Sequence, residues 1–159
     1  MWVAVPKRLM SLVPVLMSIT PSTGSSSEPS GPPKELFLIC TVSGSTGATA
    51  GFGGAVCSDA DNFLTERGRL STKRVSPEEW TRTVPSADGP TAWLKLDVEI
   101  FSPVLAQGQA SWGRNTAGGW VETGRTPRVE AGVVDAVLDE SVARILVGDL
   151  LRMTPLLGP

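Results

Sequence analysis

The sequence predicts an α+β domain built on an antiparallel β-meander of about four to five strands. It places a short helix near residues 59–67 and a C-terminal amphipathic helix near 139–153. Three observations carry that expectation. Residues 91–101 alternate, with Leu94, Leu96, Val98 and Ile100 on one side and Trp93, Lys95, Asp97, Glu99 and Phe101 on the other, the period of a half-buried strand. Short turn-forming segments separate this run from apolar neighbours, as in hairpins. Between Asp139 and Pro155, Val142, Ile145, Leu146, Leu150 and Met153 recur with Leu138 at helical spacing.

At the N-terminus, Lys7 and Arg8 precede an apolar run from Leu9 to Ile19, which gives way to TPSTGSSSEPSGPP. A basic start, an apolar run of about ten residues and small residues behind it are the parts of a secretory leader. Residues 1–24 are therefore expected to be a signal peptide cut near Gly24. Pro14 argues against a buried helix here, and the run falls short of the roughly twenty residues that span a bilayer. Residues 25–34, rich in Ser and Pro, read as a disordered linker, which leaves 35–159 as a single domain. Cys40 does follow an apolar stretch, Leu36–Ile39, but Lys34 and Glu35 lie just before it. That stretch is too short to serve as the apolar part of a lipoprotein leader.

Glu35–Ser43 is dense in apolar and β-branched residues and reads as a buried strand. The glycine-rich segment 44–54 reads as a loop. Ser58 is placed to cap a helix whose first turn holds Asp59 and Asp61, whose apolar side holds Phe63 and Leu64, and which Gly68 ends. Cys40 and Cys57 are the only cysteines. An even count in an exported chain predicts a disulfide, contributing about 3 kcal/mol, which would pin that helix to the first strand. Leu70–Val75 reads as a short strand and SPEEWTRTVPSADGP behind it as a loop. Val104–Trp112, Trp120–Glu122 after a turn at 115–119, and Val129–Asp135 complete the expected meander.

Composition narrows the chemistry. With 41% apolar and 19% charged residues the chain is globular. Its net charge is −2, and loss of Lys7 and Arg8 with the leader would leave 12 bases against 16 acids. That balance offers no footprint for nucleic acid and no polybasic membrane patch. There is no histidine and no tyrosine, so Ser-His-Asp and Cys-His machinery is excluded. A zinc site would have to use two cysteines and carboxylates alone, and no metal or other cofactor is expected. No lysine follows a glycine, which removes the P-loop. Gly51–Val56 begins like a dinucleotide fingerprint but ends on valine, with no βαβ unit foreseen around it. Asp59–Asn62 resembles the start of a calcium loop, yet Phe63, Leu64 and Leu70 stand where a ligand, a glycine and a glutamate belong.

What remains are surface candidates. Trp93, Phe101, Trp112 and Trp120 are the candidate binding residues, since aromatics sharing an exposed face form a contact platform. Asp97 and Glu99 share one strand face with Trp93 and Phe101, and such carboxylates are the basis of glycan hydrolysis. Asp149 projects into the apolar stripe of an ideal helix, where a buried carboxylate needs a partner, unless Gly148 turns it outward. The reading that fits these features is a non-catalytic periplasmic or secreted module that binds a protein, an envelope component or a small ligand. Two alternatives are a carboxylate-based glycan hydrolase using Asp97 and Glu99, and an envelope accessory protein that meets the membrane by keeping its leader.

Overall fold

A computed structural model of the chain describes residues 33–85 and 89–157. The leader expected at 1–24, and the linker as far as residue 32, lie outside the described residues. In chain order the elements are β1 (Glu35–Ser43), a 3-10 turn (Gly47–Thr49), α1 (Ala50–Glu66), β2 (Ser71–Val75) and α2 (Pro77–Trp80). They continue with β3 (Ala92–Ser102), β4 (Leu105–Thr116), β5 (Gly119–Arg125), β6 (Val129–Gly132) and α3 (Glu140–Arg152). The sheet runs β2-β1-β3-β4-β5, with β6 also on β4.

The class is α+β, and the sheet is mostly antiparallel but mixed, with six strands rather than the expected four to five. β1 lies parallel to both β2 and β3, and only β3–β4, β4–β5 and β4–β6 are antiparallel. The reason lies in the run Leu36–Ile39. Leu36, Leu38 and Ile39 are at most 1% exposed and Phe37 only 7%, so β1 is covered on both faces, the situation of a strand with parallel neighbours. Parallel pairing requires a crossover, and α1 supplies it between β1 and β2.

α1 starts at Ala50, not at 59 as expected. Residues 44–54, read as a loop, contribute its 3-10 lead-in and first turns, and Ser58 sits inside the helix with its hydroxyl on the Gly54 carbonyl at 3.4 Å. Phe52, Val56, Ala60 and Leu64, four apart, are fully buried, and that stripe outweighs the cost of glycine in a helix. Gly53 packs closely on the turn before the helix: a Cβ there would stand 3.1 Å from Ser45 Oγ. A β1-α1-β2 unit therefore does surround Gly51–Val56. These glycines lie within the helix, however, not on the strand-to-helix turn of a dinucleotide site. At the other end Arg67 N and Gly68 N both donate to Phe63 O, and the left-handed residue is Arg69, φ 51°, not Gly68.

Cys57, on α1, is bonded to Cys40 of β1 with their Cα atoms 5.8 Å apart. The bond ties the crossover helix to the strand it leaves.

β5 and β6 form two halves of one edge beside β4. Thr126 marks the break: its N donates to Ala110 O at 2.8 Å and its hydroxyl accepts from Ala110 N at 3.0 Å. β5 is longer than the expected 120–122, and β6 stops at Gly132, short of the expected 135.

α3 is capped by Asp139, whose Oδ1 accepts from Ser141 N at 2.9 Å, Val142 N at 3.1 Å and Ser141 Oγ at 2.6 Å. The Ser141 hydroxyl and the Val142 amide hold the Asp139 carboxyl below its usual range. The buried stripe is Ala143, Leu146, Val147, Leu150 and Leu151, turned from the one expected; Ile145 is 64% exposed. Asp149 consequently faces outward, 3.0 Å from Arg152. The helix continues through Gly148, against which the Phe63 ring packs. α1 and α3 together cover one sheet face over Leu36, Leu38, Leu94, Leu96, Val98 and Ala110. No helix among the described residues is long and apolar enough to cross a membrane.

Replacing Cys40 and Cys57 together by alanine should cost about 3 kcal/mol in denaturant unfolding. A double variant as stable as the parent would contradict the tie. Asp139→Ala should lower the melting temperature at neutral pH, while Asp139→Asn, also a good cap, retains most of it. Because the folded-state pKa is depressed, the gap between parent and Asp139→Ala is present above the ordinary carboxylate range. It should close as pH falls through the lower folded value. A gap independent of pH would show that the carboxylate is not what caps α3.

Candidate functional site

The sheet face away from α1 and α3 is set by four rows of side chains across β1, β3 and β4. They are Phe37–Trp93–Gly113, Ile39–Lys95–Ser111, Thr41–Asp97–Gln109 and Ser43–Glu99–Gln107. The strand sequences change from apolar to polar in step, so the face has two halves.

The first half is aromatic and covered. Phe37, Ile39 and Trp93 form its floor, with Val75, Trp80 and Trp120 packed on it. Trp80 lies centrally, its ring centroid 5.8 Å from Phe37, 5.7 Å from Trp93 and 5.1 Å from Trp120, within the range where aromatic pairs attract. Trp80 arrives on α2, a turn the loop reading of 76–90 did not foresee. Its signal was legible: Ser76 accepts from Glu79 N, and Glu79 returns a bond to Ser76 N, with Pro77 at the helix start. Trp120 Nε1 donates to Thr83 O at 3.0 Å and holds the chain beyond α2 against the cluster. Gly113 lets the Trp93 indole lie across β4, where a Cβ would stand 2.6 Å from the ring. Trp93 Nε1 is buried without a hydrogen-bond partner among the described residues.

The second half is polar and open. Thr41, Ser43, Asp97, Glu99, Gln109 and Arg128 line a shallow groove of about 170 Å³. Lys95 Nζ lies 3.0 Å from Asp97 Oδ2, both ends well exposed, so the pair adds little to stability. Gln109 Nε2 is drawn to Thr126 O at 2.8 Å, and Arg128 reaches Gln107 Oε1 at 3.4 Å. Glu122 chelates Arg125 and holds its guanidinium above the usual value, with Asp97 contributing in the same direction. Among the described residues no three His, Cys, Asp or Glu side chains gather as a metal site would require.

The four candidate binding aromatics are not brought onto one surface. Trp93 and Trp120 meet in the covered cluster. Phe101, 53% exposed, is at the far end of β3 from Trp93. Trp112 packs on the opposite face, against the core under the helices. Asp97 and Glu99 do share the open face.

The fold is similar to that of PelC. A PelC dodecamer from Paraburkholderia phytofirmans matches with a TM-score of 0.54 at 19% identity, covering 79% of this chain and 89% of that one. A point variant of the same dodecamer, in another crystal form, matches at 0.53 and 21% identity, covering 80% and 90%. No protein-family model matches the chain, and no curated protein matches it. The likeness to PelC is one of fold.

Trp120→Ala should expose the cluster, moving tryptophan emission to the red and lowering stability by about 2–4 kcal/mol. Asp97→Asn, on the open half, should stay within about 0.5 kcal/mol of the parent. Equal stability of both variants with the parent would contradict the division of this face.

Proposed function

We propose that this chain is a non-catalytic exported domain that self-associates and serves the cell envelope as a binding or assembly module. The observation that carries the reading is the likeness of its fold, over 89% of that chain, to PelC, which was solved as a dodecamer. The Cys40–Cys57 bond supports export, because such bonds persist in oxidising compartments. The leader-like residues 1–24 point the same way. Binding is favoured over turnover by the open sheet face. Its groove of about 170 Å³ is smaller than the roughly 300–1,000 Å³ of enclosed ligand pockets, and Asp97 is engaged with Lys95. A chain without histidine also lacks the commonest general base.

Expressed whole in a Gram-negative host with a C-terminal tag, the chain should appear in the periplasm and carry a mass lacking roughly the first two dozen residues. In light scattering it should run at a multiple of the monomer mass. A full-length cytoplasmic product would contradict export. A species that stays monomeric at high micromolar concentration would contradict self-association.

A further inference from the structure

Two stretches of the chain at opposite edges of the sheet carry opposite charge. Residues 68–75, the turn out of α1 and all of β2, contain three bases, Arg69, Lys73 and Arg74, and no acid. Residues 129–138, β6 and the segment leading toward α3, contain two acids, Glu130 and Asp135, and no base. All five side chains are exposed. β2 lies at one end of the strand order and β6 on the far side of β4, so each leaves one backbone edge without a strand partner among the described residues, an invitation to further pairing.

Internal pairs do not erase the asymmetry. On the basic side Arg74 shares Asp61 at 3.5 Å. The bases nearest the acidic stretch are drawn elsewhere, Arg128 to Gln107 and Arg144 to Asp59 at 3.7 Å. Beside the acidic edge lies an apolar group. Phe101, Val104, Leu105, Val134 and Val137 are 38–88% exposed. Bonds from Val133 N to Val104 O at 3.0 Å and from Leu138 N to Pro103 O at 2.8 Å hold them at one end of the sheet. Exposed apolar residues gathered in this way mark a contact surface.

We infer that the acidic β6 edge of one copy docks on the basic β2 edge of the next, burying the apolar residues around Val104 and Val134 between them. The inference rests on the self-association proposed above and names the two faces that carry it. An acidic edge repels its own copy, as does a basic one, so two-fold pairing of identical patches is disfavoured. Unlike patches meeting head to tail close into a ring when the rotation per step allows. The acidic surroundings also disfavour an anionic lipid surface as the occupant.

Charge reversal on the full chain, purified from an oxidising compartment, tests this. Glu130→Lys with Asp135→Lys makes both edges basic, and Arg69→Glu with Lys73→Glu makes both acidic. Each double variant alone should be monomeric in light scattering under conditions where the parent assembles, with circular dichroism confirming the parent fold. Mixed in equal amounts they should reassemble, alternating around the same contact, and added salt should weaken the parent assembly. If a variant fails to fold, Glu130→Gln with Asp135→Asn and Arg69→Gln with Lys73→Gln replace the pairs, each expected to shift the parent's assembly to higher concentration. An assembled parent whose edge variants also assemble, or whose folded variants stay monomeric when mixed, overturns the edge assignment alone. A monomeric parent overturns the self-association on which it rests.

Discussion

Over Leu36–Ile39, β1 has parallel neighbours on both edges and is sealed on both faces, by the helices over Leu36 and Leu38 and by the aromatic cluster over Phe37 and Ile39. A backbone so enclosed has no access to water, and each of its polar groups must find a partner in the sheet. That requirement fixes much else. Parallel partners oblige the chain to cross over between strands, so α1 lies on one face, while α2 delivers Trp80 to the other. The Cys40–Cys57 bond joins this central strand to its crossover helix and restrains the unfolded chain at the contact on which the topology turns.

The two faces then serve different ends. Under α1 and α3 the sheet supplies the main core, closed by helices that pack side by side where Gly148 admits the Phe63 ring. The opposite face is sealed only over Phe37, Ile39 and Trp93. Beyond them hydroxyls, carboxylates and carboxamides stand in register on β1, β3 and β4, close to solvent. Such a face, with unlike edges at β2 and β6, has the makings of a surface that meets other molecules.

Much of this was legible residue by residue. The alternation of β3 and the Asp139 cap of α3 come directly from periodicity and capping chemistry, and an even cysteine count in an export context pointed to the observed pair. The parallel sheet was harder to see. Leu36–Ile39 reads as a buried strand in any sheet, and only burial on both faces distinguishes parallel neighbours from antiparallel ones. The first turns of α1 were hidden by Gly51, Gly53 and Gly54, which are poor helix formers tolerated here because Phe52 and Val56 are buried by tertiary contacts. The rotation of α3 placed Ile145 outside and Ala143 inside, since the neighbouring α1, which the spacing on α3 alone does not reveal, decides which side faces in. The aromatic cluster joins residues from four separate segments. Its one local sign was the capping pair Ser76 and Glu79 just before Trp80.

Native-state hydrogen exchange tests the central place of β1 most directly. The amides of residues 37–41 and of 94–98 on β3 should exchange last and only through global unfolding, while those of β2, β5 and β6 open earlier at the edges. β1 amides that exchange as early as those of β5 and β6 would contradict a fold organised around that strand.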